Sequence, residues 1–423
     1  MLLNYFKLTC CVVLNLSYVN SLNFNNNACR NLGSYPFKSV SGNCYENPDV
    51  RATTPEIIQR RGFKVESHLV TTPDGYILQI FRIPPHEYDN RKNKQPIFLL
   101  HSILSDSSAW VFAGNRSIPF QLASEGYDVW IGNQRGTIYS RGHVALKDSN
   151  KEYWDYNLDT LAANDIPSFL NKVAEVTGKA GSIIYMGHSR AIMLLFMYTS
   201  EHPEEIEQLL RGIVAFTPTA YLDPTGNVKN FFTVAQLLGL TLNKFGIGAI
   251  FQYPKPIIAL SQALCPKFPQ ICQFVAFEII GHSNLLLNED LLNFFGHFPA
   301  PLSAKEIIQH GQFYETQRFQ KFDYGVAKNI EIYGQDKPPL YNLRNVKVPT
   351  FICYGKKDVY ISERTMMRIF NELGSERKAV YKIPINDENE RHQFSHVDFL
   401  FAANLTELLY KDLREIIENE LSV

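Results

Sequence analysis

The sequence has no excess of charge of either sign. Its 423 residues include 41 lysines and arginines against 42 aspartates and glutamates, which gives a formal net charge of -1. A nearly neutral chain has no long-range field that attracts a polyanion, so composition excludes an electrostatic argument for a nucleic-acid or anionic-membrane partner. Hydrophobic residues at 45% and charged residues at 20% are typical of a globular protein with a substantial core.

The patterns of a membrane span, a metal cluster and a repeat array are also missing. After the N-terminus the only long apolar window runs from Phe231 to Phe251, and Asn243 and Lys244 interrupt it. A span needs about 20 mostly apolar residues. The seven cysteines form no C-x-x-C spacing, and there is no internal repeat. We therefore predict no transmembrane segment and no metal, and the oligomeric state stays open.

The N-terminus has the pattern of a secretory signal peptide. Residues 1–21 contain one lysine and an apolar stretch from Leu8 to Leu16, followed by small or polar residues. Two acceptor sequences for N-glycosylation lie downstream, at Asn115 and Asn404. We expect a secreted glycoprotein, with the lysosome as the alternative destination.

Five cysteines remain after removal of the signal peptide. If neighbours pair, Cys29 bonds to Cys44 and Cys265 bonds to Cys272, although connectivity does not follow from sequence. The first pair would hold an asparagine-rich leader, residues 22–46. Cys353 lies in an apolar strand pattern and is expected to be a buried free thiol.

Short apolar runs alternate with helical patterns along much of the chain, which predicts a mostly parallel sheet with helices on both faces. The predicted strands are Pro96 to Leu100, Tyr127 to Ile131, Ile183 to Met186, Gly212 to Phe216 and Pro349 to Tyr354. Between about Leu222 and Tyr341 the alternation gives way to phenylalanines, leucines and prolines. Such a stretch between two sheet strands predicts a helical insertion over the carboxyl edge, where sheets of this kind bind ligands. We therefore divide the chain into a core at 47–221 and 342–423 and a cap or lid at 222–341.

One of these strands runs directly into a serine followed by a helical pattern. The residues Gly187-His188-Ser189-Arg190-Ala191 match the G-x-S-x-G motif except at the last position. A serine on a tight strand-to-helix turn projects its hydroxyl from the top of the sheet, close to the positive end of a helix. This arrangement is the nucleophile elbow of α/β-hydrolases, and it makes Ser189 a candidate nucleophile.

A serine hydroxyl needs an imidazole to take its proton and a carboxylate to orient that imidazole. In α/β-hydrolases the three follow in the order Ser, Asp or Glu, His. Here Asp358 follows a predicted strand and His396 follows the next strand pattern. The expected donors to the developing oxyanion are the backbone N–H groups of Arg190 and of a residue near Ile103.

The chain resembles the acid lipases, the family of gastric and lysosomal acid lipases, which includes secreted insect members. The likeness extends from about Asn47 to Ile417, and the segments that carry it include Thr72-Pro73-Asp74-Gly75-Tyr76, Gly126-Tyr127-Asp128-Val129-Trp130, Lys321-Phe322-Asp323-Tyr324-Gly325 and Phe394-Ser395-His396-Val397-Asp398-Phe399. The resemblance implies an α/β-hydrolase with a helical cap and lid that hydrolyses neutral lipid esters at a lipid–water interface without a cofactor. It implies a triad of Ser189, Asp358 and His396, oxyanion positions at Ile103 and Arg190, and a cap disulfide between Cys265 and Cys272.

The sequence departs from this family pattern at the elbow and at the oxyanion loop. Ser102 stands where the family usually has a glycine, and a serine has less backbone freedom. Ala191 replaces the second glycine of the elbow, and Arg190 replaces glutamine or methionine. An arginine there puts a fixed positive charge beside the oxyanion hole, which is costly in an apolar site without an acidic partner. The alternative function is therefore a lipid-binding or carrier protein on a lipase scaffold with impaired turnover.

Overall fold

The computed structural model describes residues 27–38, 40–85, 95–223, 227–385, 387 and 391–422. The predicted signal peptide lies outside these residues. The strands are β1 (Asn27–Cys29), β2 (Cys44–Glu46), β3 (Glu66–Thr71), β4 (Tyr76–Ile83), β5 (Pro96–Leu100), β6 (Asp128–Gly132), β7 (Gly142–His143), β8 (Ile183–His188), β9 (Leu210–Phe216), β10 (Ala249–Ile250), β11 (Leu302–Ser303), β12 (Thr350–Tyr354) and β13 (Lys378–Lys382).

The helices of the described residues differ widely in length. They are α1 (Thr54–Arg60), α2 (Ile118–Ser124), α3 (Leu158–Thr160), α4 (Ile166–Thr177), α5 (Arg190–Glu201), α6 (Pro203–Leu209), α7 (Asn227–Lys244), α8 (Lys255–Leu264), α9 (Pro269–Ile280), α10 (Leu291–His297), α11 (Ala304–Thr316), α12 (Val326–Tyr333), α13 (Glu363–Glu372), α14 (Asp398–Phe401) and α15 (Lys411–Ile416). None of them is long and apolar enough to cross a membrane.

The central sheet has the strand order β13-β12-β9-β8-β5-β6-β4-β3, with β7 paired to β4. The strands from β13 to β6 are parallel, while β3, β4 and β7 form antiparallel pairs at one edge. The prediction of a mostly parallel sheet is thus confirmed. Because parallel strands are joined by crossover helices, their carboxyl ends gather loops from distant parts of the chain at one edge of the sheet.

Side chains that alternate along β5 enter two different cores. Phe98 and Leu100 pack with Phe169 of α4 and with the buried residues of α5. Ile97 and Leu99 pack on the other side with residues of α2 and α15. All five residues of this strand are buried, which explains why the sequence has a continuous apolar run there rather than an alternating one. The helices therefore flank both faces of the sheet.

The chain leaves the sheet after β9 and returns at β12. The intervening segment contains α7 to α12 and the short antiparallel pair of β10 and β11, and it includes the stretch for which the sequence predicts a cap. Helix α7 approaches α11 closely at Gly239, where a Cβ atom would lie 3.1 Å from the Ala304 carbonyl oxygen. A larger residue at this position would force the two helices apart.

Two disulfides and one free thiol are present among the described cysteines. Cys29 bonds to Cys44, and Cys265 bonds to Cys272. The first closes the β1–β2 hairpin of the leader, whose Tyr35 hydroxyl donates a 2.8 Å hydrogen bond to the carbonyl of Asn288 in the segment between β9 and β12. The free thiol is Cys353, which is buried.

Candidate active site

Ser189 lies at the junction of β8 and α5. Its backbone has φ +56° and ψ −115°, a conformation that residues other than glycine rarely adopt and that costs roughly 1–3 kcal/mol. The surrounding chain holds it there: the Ser189 N–H donates to the Phe216 carbonyl at 2.8 Å, and the Ser189 carbonyl accepts from Ile192 at 3.1 Å. The strained turn is the geometry expected of a nucleophile elbow.

Asp358 and His396 lie on different loops at the carboxyl edge of the sheet and meet through a hydrogen bond. His396 Nδ1 lies 2.8 Å from Asp358 Oδ2. The other carboxylate oxygen, Oδ1, accepts from the backbone N–H groups of Tyr360 at 2.8 Å and Ile361 at 3.2 Å. Asp358 is therefore held by its own turn, which leaves one oxygen free to orient the imidazole. Both side chains are buried.

Two further residues, Thr217 and His188, contact His396, and neither contact could be inferred from the sequence. The hydroxyl of Thr217, directly after β9, lies 3.1 Å from His396 Nδ1. His188 Nε2 lies 2.6 Å from the His396 carbonyl, and burial, with a smaller effect of His396, lowers the pKa of His188 to about 3. His188 is thus neutral above this pH and donates to that carbonyl. His188 therefore supports the loop that carries His396.

The loop after β5 contains Ser102 and Ile103. The residue of this loop with a positive φ is Leu104 (φ +59°), and Ser102 is not among the described residues with positive φ. Ser102 therefore does not adopt the left-handed conformation that favours glycine, because in this loop that conformation falls two residues later, at Leu104. The Leu104 carbonyl accepts from the Ala300 N–H at 2.7 Å, which ties the loop to the segment after α10.

A buried histidine orients the start of this loop. His101 Nε2 accepts a 3.1 Å hydrogen bond from the Gln134 N–H, so its proton is on Nδ1. That proton is donated to the Ser102 carbonyl, 2.9 Å away. Burial is the largest cause of the drop in the pKa of His101 to about 3, and the ring therefore stays neutral and keeps this tautomer over most of the acidic range.

Arg190 has the acidic partner that the sequence did not reveal. Its guanidinium forms an ion pair with Glu306 of α11, and the exposed fractions of the two side chains are 5% and 2%. Arg190 Nη2 also donates to the Ser102 carbonyl at 3.4 Å. Burial raises the pKa of Glu306, while the nearby Arg190 charge lowers it. The arginine after the serine is thus compensated within the protein.

Ala191 packs beside Gly187 at the start of α5. It is fully buried, and its carbonyl accepts a 2.9 Å hydrogen bond from the Tyr185 hydroxyl. The position with no room for a methyl group is Gly187, where a Cβ atom would lie 2.9 Å from Ile192 and 3.1 Å from the Ala191 Cβ. Within the motif, Gly187 is therefore the position at which an added methyl group would require its neighbours to shift.

Ser189, His188 and His396 line one cleft together with Ser102 and Ile103. Its volume, including the open mouth, is about 1030 Å³. Most of the remaining wall is apolar and includes Phe112, Leu222, Phe232, Phe294, Ile307 and Phe401. This cleft is suited to a long apolar ligand with a single polar group near Ser189.

The other predicted positions lie away from this cleft. The predicted glycosylation sites Asn115 and Asn404 are both exposed. His392 and His396 have an H-x-x-x-H spacing, but this segment is not helical, and His392 lies beside Asp387. The described residues contain no group of three or more histidine, cysteine or acidic side chains that could hold a metal.

Comparisons of the sequence with known proteins identify lipases. Residues 54–114 match a family model described as a partial alpha/beta-hydrolase lipase region. The lysosomal acid lipase/cholesteryl ester hydrolase of Macaca fascicularis is 31% identical over 385 residues, 88% of this chain and 92% of that protein. Lipase member K of Homo sapiens is 30% identical over 385 residues, 89% of this chain and 93% of the relative.

A solved structure with a similar fold is that of a soluble variant of monoglyceride lipase from Saccharomyces cerevisiae. Its TM-score is 0.50 and its sequence identity 12%, over 85% of this chain and 99% of that one. At this identity the likeness shows the fold alone. Together with the mostly parallel sheet and its flanking helices, it identifies an α/β-hydrolase fold, as the sequence predicts.

Proposed function

The chain belongs to the gastric and lysosomal acid lipase family, and from this membership we propose that it is a secreted serine ester hydrolase acting on neutral lipids. The observation that carries the proposal is that Ser189, on its strained turn, lines the same cleft as His396, whose imidazole is hydrogen-bonded to Asp358. A buried pair of this kind, with one carboxylate oxygen committed to backbone donors, is the support that a general base needs.

In the proposed reaction, His396 takes the proton of Ser189 as the serine oxygen attacks the ester carbonyl. The tetrahedral intermediate collapses to an acyl-enzyme, and the alcohol leaves with the proton from His396. Water then attacks the acyl-enzyme with His396 again as the base, which releases the fatty acid. Asp358 keeps the imidazole in the tautomer that has its proton on Nδ1.

The proposed oxyanion donors are the backbone N–H groups of Ile103 and Arg190. Arg190 is the first residue of α5, and the first N–H groups of a helix have no partner within the helix. Such a group is available to a developing negative charge and lies at the positive end of the helix dipole. A single donor of this type contributes roughly 10²–10³-fold to turnover.

The apolar cleft and the surface of the segment 222–341 support a lipid ester as substrate. Several large apolar side chains of this segment are exposed, among them Leu237, Phe245, Phe268, Ile271 and Phe274. Exposed apolar groups in such number favour contact with another apolar phase. The relatives' names point to acid lipase and cholesteryl ester hydrolase activities, so triacylglycerols and sterol esters are the proposed substrates.

The proposed organisation follows the sequence divisions: a signal peptide at 1–21, a leader at 22–46, a hydrolase core at 47–221 and 342–423, and a cap or lid at 222–341. Two disulfides are consistent with an oxidising compartment. The exposed Asn115 and Asn404 are the proposed glycosylation sites. The lysosome is the alternative destination, since disulfides and glycans occur there as well.

The decisive experiment combines fluorophosphonate labelling with ester hydrolysis. Purified protein is expected to be labelled at Ser189 and to hydrolyse p-nitrophenyl butyrate and emulsified triolein, and Ser189→Ala is expected to abolish all three. Ser200→Ala is the matched control, because Ser200 is a buried serine of the same helix whose hydroxyl bonds to the Met197 carbonyl. This variant should keep wild-type labelling and turnover.

The competing function, a lipid carrier without turnover, predicts a different result. Wild-type protein would then retain apolar ligands through purification but would show neither labelling nor hydrolysis. Hydrolysis that persists in Ser189→Ala would exclude the proposed triad. The outcome is therefore decided by the comparison of wild type, Ser189→Ala and Ser200→Ala on the same substrates.

A further inference from the structure

The backbone and the side chain of Arg190 have different roles in the proposed site. Its N–H is a proposed oxyanion donor, while its guanidinium, on the same residue, is buried. An arginine keeps its charge at any pH that the protein survives. The charge therefore needs an acceptor that is itself held in place, and this acceptor contacts the residue that carries the proposed donor N–H.

The acceptor is Glu306, which is itself held firmly. One carboxylate oxygen pairs with Arg190, and the other accepts from the Ser303 N–H at 2.9 Å. Ser303 caps α11, and its hydroxyl shares its one proton between the carbonyls of Trp154 and Tyr156 in the core, 2.8 and 2.7 Å away. Glu306 thus joins the first turn of a helix in the proposed cap to the elbow.

The same guanidinium also contacts the loop of the second oxyanion donor. Arg190 Nη2 lies 3.4 Å from the carbonyl of Ser102, the residue before Ile103. His101 donates to that same carbonyl. One side chain therefore connects three parts of the molecule: the elbow helix, the loop after β5 and the start of α11.

We propose that Glu306 is a positioning residue for ester hydrolysis: through Arg190 it holds the backbone N–H of Arg190 and the loop of Ile103 at the oxyanion. This inference rests on the proposed function and deepens it. The arginine after the nucleophile is then part of a connection between cap and elbow. Removal of the carboxylate leaves a buried, uncompensated positive charge, and Arg190 must turn toward another acceptor and shift the N–H with it.

The proposal distinguishes loss of charge balance from loss of the arginine. In Glu306→Gln the positive charge of Arg190 has no acidic partner. In the double variant Arg190→Gln/Glu306→Gln both charges are removed, and a neutral amide side chain occupies position 190. We expect Glu306→Gln to lower kcat on p-nitrophenyl butyrate by roughly 10²–10³-fold, the effect of one misplaced donor, with KM within threefold of wild type. The double variant is expected to return kcat to within about tenfold of wild type.

The matched control is Asp290→Asn. Asp290 is also a buried acid from the segment between β9 and β12, and it pairs with Arg116 of the core. Asp290→Asn should leave kcat within about twofold of wild type. A general effect of replacing a buried acid that contacts an arginine would instead lower kcat in both variants.

The proposal is overturned if Glu306→Gln keeps kcat within threefold of wild type, or if the double variant is no more active than Glu306→Gln. If Glu306→Gln does not fold, Glu306→Asp takes its place, because it keeps the charge but shortens the side chain by one methylene. Its kcat should fall at least tenfold at similar KM. A wild-type kcat in Glu306→Asp also overturns the proposal. Wild-type protein without labelling or hydrolysis overturns the proposed function and this inference together, whereas active wild type with unaffected variants overturns the inference alone.

Discussion

His396 Nδ1 lies 2.8 Å from Asp358 Oδ2, across a sequence separation of 38 residues. The two residues come from separate loops, and each loop is held independently of the other. Asp358 is fixed by the N–H groups of Tyr360 and Ile361, and the His396 backbone is held by His188. The contact between Asp358 and His396 is therefore supported by groups of the protein itself, as the proposed general base requires.

Replacement of Asp358 by asparagine should lower kcat by about 10⁴-fold, because the amide can donate to Nδ1 and so favours the wrong tautomer of His396. The measurement is kcat on p-nitrophenyl butyrate. Asp159→Asn is the matched control, since Asp159 is a partly buried acid bonded to Gln309 and Tyr341 rather than to His396. An Asp358→Asn variant that keeps more than a tenth of the wild-type kcat would contradict the proposed triad.

The two small residues of the elbow should respond differently to substitution. A Cβ atom at Gly187 would lie 2.9 Å from Ile192 and Tyr185, so Gly187→Ala should cost about 1–3 kcal/mol of stability and lower kcat. Ala191→Gly should cost about 1 kcal/mol through helix propensity and leave kcat within twofold. Thermal melts and kcat test both. A clear rise of kcat in Ala191→Gly would show that alanine impairs the elbow.

The exposed apolar residues of the proposed cap should matter only for aggregated substrate. Leu237→Ser and Ile271→Ser remove side chains that are 64% and 61% exposed, and each is expected to lower the rate on emulsified triolein several-fold at low lipid load. Hydrolysis of soluble p-nitrophenyl butyrate should not change. Leu69→Ser on β3, 61% exposed, is the matched control. Equal losses at Leu69 would refute a specific lipid-binding surface.

Asp290 should make stability depend on pH. Burial outweighs the charge of Arg116 and raises the pKa of Asp290 from 3.8 to about 7. Because the folded protein binds this proton more tightly, its contribution to the free energy of unfolding is complete below pH 3.8 and is lost as the pH rises through 7.

The comparison of wild type with Asp290→Asn isolates this effect, since other titrating groups are common to both. The difference in free energy of unfolding, wild type minus variant, should fall between pH 4 and 7 by up to about 1.4 kcal/mol per pH unit. Denaturant unfolding at several pH values measures it. A difference that grows with pH would show instead that Arg116 keeps the carboxylate ionised.

The sheet and the elbow were predictable because their signals are local. Strands buried on both faces appear as continuous apolar runs, so β5 was predicted with the bounds that the structure has, Pro96–Leu100. Neighbouring boundaries differ by a residue or two: the predicted strand from Tyr127 to Ile131 is Asp128–Gly132. The exact ends of a strand depend on which of its backbone groups form hydrogen bonds with the neighbouring strand. The sequence of one strand does not show this.

The sequence by itself determined the family, the mostly parallel sheet and the candidate residues Ser189, Asp358 and His396. Strand periodicity and the order of motifs are properties of the linear chain, so they can be recognised without the fold. Only the tertiary structure decided what surrounds Arg190. Glu306 belongs to a capping pattern with Ser303, which predicts a helix start but not a partner 116 residues away. The same holds for Thr217 and His101, because contacts between distant segments arise only when the folded chain brings them together.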